Sequence, residues 1–228
     1  MDRKFFNKTI IWILLLTFTS GYANILSIYT VGMPSTHMTG NLTNISYSLF
    51  GLDFKKAGIL FAFILLFLLG GVISGYIFSN RQFGKGRAYG YLLIAVAIIL
   101  ALAELFIDNR YIVTSIVVIV SGTQNGLNIT YNDVTIRTTH MTGYLSDIGR
   151  VIGLKLDGKK VELSKLMYLI SAVIIYFLGG VVAIFVSLPE QGHNFYEISI
   201  LYIIAGILYL KFIYNNGKSK KQRNISNS

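Results

Sequence analysis

The residues most able to do chemistry in this chain lie in a short segment that occurs twice. Thr-His-Met-Thr-Gly at residues 36–40 is repeated unchanged at residues 139–143, 103 residues further on. Imidazole titrates near neutrality, so His37 and His140 could each bind, sense or relay a proton. A threonine just before a helix can cap its free N–H groups, and a glycine permits close backbone approach. The segment therefore predicts two equivalent polar sites, each at the start of a short helix.

Two further matches, in the same order, surround this segment. Residues 21–24 (Gly-Tyr-Ala-Asn) face residues 122–125 (Gly-Thr-Gln-Asn), and both 69–72 and 178–181 read Leu-Gly-Gly-Val. Small shifts between such matches are absorbed by loops, so three ordered matches predict an internal duplication. The expected repeat halves are residues 1–107 and 108–214. A Lys-, Asn- and Ser-rich tail, 215–228, is expected to be disordered and cytoplasmic.

The elements that must position these segments are predicted to be membrane helices. The chain is 54% hydrophobic and only 13% charged, and its long apolar runs reach the ~20 residues that cross a bilayer core as a helix. Six strong spans are expected, at 9–32, 57–80, 88–103, 111–132, 166–188 and 195–214, and the third extends to 107 if Glu104 lies at the membrane interface. The predicted fold class is all-α, a polytopic membrane helix bundle with six strong spans plus two short polar motif helices. Its expected partner is the lipid bilayer.

The two segments that contain the motifs, residues 34–52 and 138–156, are too polar to face lipid. Polar segments at membrane depth must be buried in protein or line a wet cavity. If both segments cross the membrane, the chain has eight spans and parallel halves. If both re-enter, it has six spans and inverted halves. The distribution of basic residues favours six spans with both termini cytoplasmic.

A candidate site between the halves combines the motifs with the polar stripes of the spans before them. The predicted substrate-binding residues are Asn24, His37, Thr39, Asn41, Asn125, Arg137, His140 and Thr142. Arg137 breaks the symmetry, because Pro34 stands in its place in the first half. A charge at membrane depth costs at least ~2.5 kcal/mol and indicates function by default. The alternative is that Arg137 lies near the cytoplasmic surface and only orients the helix. The alternative for the asparagine stripes is that they only join helices by hydrogen bonds.

Several functional classes lack support in the sequence. The chain has no phosphate loop, nucleophile elbow, zinc signature or cysteine. We therefore expect no enzyme activity, no catalytic residues, no metal and no cofactor. The net charge of +10 is interpreted as a signal for membrane orientation, so no nucleic acid is expected as a partner. The oligomeric state is left open.

The paired motifs, at residues 37–42 and 137–143, resemble those of the YoaK family of bacterial multi-spanning proteins, and the resemblance extends over nearly the whole chain. It implies a protein of the bacterial cytoplasmic membrane and supplies no substrate. By architectural analogy we expect a transporter or channel for a small polar or anionic solute. The alternative is a non-transporting membrane scaffold or sensor. A membrane-embedded hydrolase is more remote, since it would need His140 close to a hydroxyl and a carboxylate.

Overall fold

A computed structural model describes residues 3–79, 86–127, 130–131, 134–135, 137–187 and 195–214. This part contains eight α-helices: α1 Arg3–Val31, α2 Met38–Phe50, α3 Phe54–Phe78, α4 Ala88–Phe106, α5 Arg110–Asn125, α6 Met141–Leu156, α7 Leu163–Ser187 and α8 Tyr196–Leu208. A π-helical turn, Tyr209–Tyr214, continues α8. The predicted tail, 215–228, lies outside the described residues.

Four of these helices are long and apolar enough to cross a membrane, namely α1 from Lys8 onward, α3, α4 and α7. The prediction of six strong spans is therefore confirmed for four. The predicted span 111–132 is shorter as a helix, because Gly126 forms the C-cap of α5 after only 16 residues. An antiparallel hairpin follows, with strands β1 Thr130–Tyr131 and β2 Val134–Thr135. Likewise, α8 has 13 residues before the π-helical turn.

The helices pack in three close pairs, α1 with α7, α3 with α5, and α4 with α8. Glycine makes the first two pairs possible. Gly21 of α1 lies against the backbone carbonyl of Tyr176, and Gly122 of α5 lies against that of Phe67. No side chain fits between these backbones, which is the usual device for close helix packing in membranes. Helix α1 is central, since 56% of the residues in its most apolar stretch are buried inside the bundle, against 28% for α3 and for α7.

The α4–α8 pair is antiparallel. Leu210, just beyond the end of α8, lies over Gly90 near the start of α4, whereas Gly206 lies between Gly90 and Ile94. Later residues of α8 thus face earlier residues of α4. The Tyr209 hydroxyl donates to the Gly86 carbonyl at 3.0 Å, directly before α4 begins. The last helices of the two predicted halves, α4 and α8, therefore run in opposite directions.

Helix α1 is tied to this pair by its one indole. The Trp12 Nε1–H donates to the Ala205 carbonyl of α8 at 2.8 Å, and the Trp12 ring lies 5.4 Å from that of Tyr209. A buried indole needs such an acceptor, because an unpaired N–H in an apolar interior is costly. Trp12 thereby joins α1 to the α4–α8 pair inside the bundle.

Candidate functional site

Both copies of the motif line one cavity of about 410 Å³. Its wall is formed by Thr36, His37, Met38, Thr39, Phe67, Asn125, Arg137, Thr139, His140, Met141, Thr142, Gly143 and Ser146. This volume is in the range of small-molecule pockets and corresponds to about a dozen water molecules at ~30 Å³ each. Two histidines that lie 103 residues apart in the sequence therefore share one space.

In the first half, the chain folds back into the bundle after α1. The Thr36 backbone N–H and hydroxyl donate to Oδ1 of Asn24 at 3.1 and 2.9 Å. Asn24 lies seven residues before the end of α1 at Val31, which is about 10 Å along the helix. The chain has thus returned by that distance before α2 begins at Met38. We call the Asn24–Thr36 contact the first elbow.

The second half contains the same contact. The Thr139 backbone N–H donates to Oδ1 of Asn125 at 3.3 Å, and the Asn125 amide group donates to the Thr139 hydroxyl. Helix α6 begins two residues later, at Met141, as α2 begins two residues after Thr36. This Asn125–Thr139 contact is the second elbow. In both halves an asparagine on the preceding helix holds the residue before the histidine.

Each histidine lies over the first turn of its own helix. His37 and His140 are the N-cap residues of α2 and α6, and neither caps the helix with its side chain. A Cβ on Gly40 would overlap the His37 ring, and one on Gly143 would overlap the His140 ring. The glycine of the repeated motif thus allows the imidazole to lie against the first turn of the helix. The N–H groups of that turn have no side-chain cap from the histidine.

Asn41 and Tyr144 occupy matching positions in the two motif helices and stand outside the cavity wall. The Asn41 amide donates to the Pro34 carbonyl at 3.0 Å, and the Tyr144 hydroxyl donates to the Arg137 carbonyl at 2.9 Å. The Tyr144 hydroxyl also accepts from the Arg137 backbone N–H at 3.0 Å, so it holds that residue at both ends. Each side chain therefore fixes the loop that precedes its helix.

Six of the eight predicted site residues line the cavity: His37, Thr39, Asn125, Arg137, His140 and Thr142. Of the other two, Asn24 holds the first elbow and Asn41 bonds the backbone. Sequence reasoning missed Phe67, which comes from α3 and belongs to no polar pattern. It also missed Met38 and Met141, although both lie inside the repeated motif.

The described wall of the cavity carries one permanent charge, Arg137, whose side chain is exposed. No aspartate or glutamate is among the described residues of the wall. Within the described ranges, no group of three or more His, Asp or Glu side chains could hold a metal ion. His193 lies outside those ranges.

Comparison with known proteins gives a family. Residues 12–211 match the model of the family described as "Protein of unknown function (DUF1275)", and this range includes both motifs and both elbows. No curated protein and no solved structure matches the chain significantly. The resemblance to the YoaK family and the bacterial origin stay predictions. The chain is thus a membrane-type helical protein that belongs to the DUF1275 family, an uncharacterised family.

Proposed function

We propose that this protein is a small-solute transporter or channel of the cytoplasmic membrane, with its pathway through the cavity between the two motif helices. One observation carries the proposal: the duplicated histidines line the same cavity in a bundle with four helices apolar enough to cross a membrane. Polar and ionisable groups at membrane depth are costly, and a bundle that only has to pack does not need them around an open space.

The proposal includes the internal duplication, with halves 1–107 and 108–214. It is supported by contacts that occur in matched pairs. Gly21 lies against Tyr176 as Gly122 lies against Phe67. The two elbows match as well, each with an asparagine amide against a threonine. Sequence identity alone does not produce matched long-range contacts, so they favour two copies of one packing unit.

The antiparallel α4–α8 pair supports inverted halves and six crossings. If each half crossed the membrane four times, these two helices would run in the same direction. Opposite directions require an odd number of crossings in the second half, and equivalence of the halves extends this to the first half, as in inverted-repeat transporters. We therefore propose that α2 and α6 re-enter from opposite faces. The remaining crossings are α5, about 24 Å long, and α8 with its π-helical turn, about 28 Å.

A scaffold or sensor remains the second candidate, because part of the polar stripe is packed away from the cavity. The Ser20 hydroxyl lies 3.3 Å from Oε1 of Gln124 and 3.2 Å from the Thr138 hydroxyl, and all three residues are buried. These side chains join helices, as a scaffold requires. Asn125 and Thr139, one residue further on, line the cavity instead. We propose no enzymatic role, since no carboxylate is among the wall residues that the structure describes around His140.

Flux measurements in proteoliposomes test this proposal. Full-length protein should raise the initial uptake rate of at least one solute, from a panel of small organic anions, neutral polar molecules and cations, at least tenfold above that of empty liposomes. Liposomes containing heat-denatured protein control for leakage. If no solute in the panel exceeds the rate of the empty vesicles, the scaffold or sensor is favoured.

A further inference from the structure

The charge of the cavity wall discriminates between classes of solute. Arg137 lines the cavity, and the acid nearest to it in the motif helix, Asp147, is not a wall residue. The ion pairs of the described residues, Arg110–Glu104 and Lys159–Asp157, lie elsewhere. Within that part of the chain, the Arg137 guanidinium therefore has no carboxylate partner. A guanidinium is always charged, and its planar fork matches the two oxygens of a carboxylate.

Neutral groups of the wall also favour an anionic solute. The N–H groups in the first turn of a helix have no partner within that helix. Residues from the first turns of both α2 and α6 line the cavity, with no side-chain cap at either start. The positive ends of two helix dipoles are thus added to the charge of Arg137. Thr39 and Thr142 add hydroxyl donors.

Apolar side chains form another part of the same wall. Met38 and Met141 come from the two copies of the motif, and Phe67 comes from α3. A hydrated inorganic ion would gain little from these groups. A short hydrocarbon chain would be stabilised by burying apolar area against them. The wall therefore fits a solute that has both an anionic group and an apolar part.

The asymmetry between the halves limits the number of anionic groups. Pro34 stands at the position of Arg137 in the first half, so among the described wall residues only the second half contributes a permanent cation. A second carboxylate on the solute would lose its hydration without a fixed charge as partner, which is costly. We propose that the cavity binds small organic acids with a single anionic group. This substrate class rests on the proposed pathway, although binding can be measured without flux.

Calorimetric titration of the purified full-length protein in nanodiscs tests the proposal. The probes are unbranched carboxylates of three to six carbons, the amides and ammonium ions of the same chain length, and succinate. At least one monocarboxylate should bind tenfold or more tightly than its amide, its ammonium analogue and succinate. Equal binding of acid and amide, preference for the cation or for succinate, or no binding of any acid would overturn the proposal.

Variants assign the preference to Arg137. Arg137→Gln should weaken carboxylate binding about tenfold or more and leave amide binding within about twofold. Arg137→Lys should keep the preference for the acid, which separates loss of charge from loss of folding. Arg150→Gln is the matched control, since Arg150 is exposed on α6 and is not a wall residue. If the acid binds Arg137→Gln as tightly as wild type, the assignment is wrong.

The experiments can rule out the proposed substrate class and the proposed transport pathway independently of each other. Tight carboxylate binding without flux of any solute would sustain the substrate class and remove the transport function. Flux of neutral or cationic solutes, with no binding of any acid, would support the transport function and rule out this substrate class.

Discussion

Replacement of both His37 and His140 by alanine is expected to lower the initial rate of solute flux at least tenfold. Both imidazoles line the cavity, and each hydrogen bond from such a group to a solute contributes about 0.5–1.5 kcal/mol, or more if a charge is involved. Two lost bonds of about 1 kcal/mol each thus correspond to a factor of roughly thirty. The measurement is uptake into proteoliposomes at equal protein density. His193→Ala is the control, because His193 belongs to neither motif.

The chemistry of the histidines can be separated by a second pair of variants. Glutamine keeps a hydrogen-bond donor at each position and removes the titratable ring. If the imidazoles only donate hydrogen bonds, the double His→Gln variant should retain most of the flux. If they relay protons, it should be as slow as the double alanine variant. A double alanine variant that is folded and transports at the wild-type rate would contradict a pathway through this cavity.

The largest effect on stability is expected from Gly122→Ala. A Cβ at Gly122 would overlap the backbone carbonyl of Phe67, and a backbone cannot move aside as a flexible side chain can. Helices α3 and α5 would have to separate, at a cost of about 1–3 kcal/mol or more. The melting temperature in detergent should therefore fall by several degrees. Gly21→Ala should behave alike, since its Cβ would overlap the Tyr176 carbonyl.

The matched control lies on the same helix pair. A Cβ added at Gly71 of α3 would have no heavy atom within 4 Å of it. Alanine is the better helix former by about 1 kcal/mol, so Gly71→Ala should leave stability unchanged or raise it. Equal melting temperatures for the Gly122→Ala and Gly71→Ala proteins would show that the close α3–α5 approach is not needed.

The repeated motif was enough to predict that His37 and His140 lie close together, and both line one cavity; their role in binding stays a prediction. Local sequence carries that information, because each motif follows an asparagine on the preceding helix, and the same contact forms twice. The role of Asn41 could not be predicted, since its partner is the backbone carbonyl of Pro34. Phe67 could not be assigned either, because it enters the cavity wall through the packing of α3, which depends on contacts distant in sequence.

The limits of the helices were predicted less well than their number. Hydropathy favours one continuous span over 111–132, but it does not register the C-cap at Gly126 or the hairpin after it. The direction of α4 relative to α8 was also open, since both six and eight crossings fit the apolar runs. It became evident only from residues in contact, with Leu210 over Gly90.

The central claim is that two equivalent motif helices enter the membrane from opposite faces and meet at one cavity. Single cysteines test it directly in this cysteine-free chain. Lys55→Cys, at the start of α3, reports the membrane face reached after α2, and Lys160→Cys reports the face reached after α6. Both lysines are exposed. With a membrane-impermeant maleimide, applied to intact and to inside-out vesicles, the account predicts that the two positions label from opposite faces. Labelling of both from the same face would contradict it.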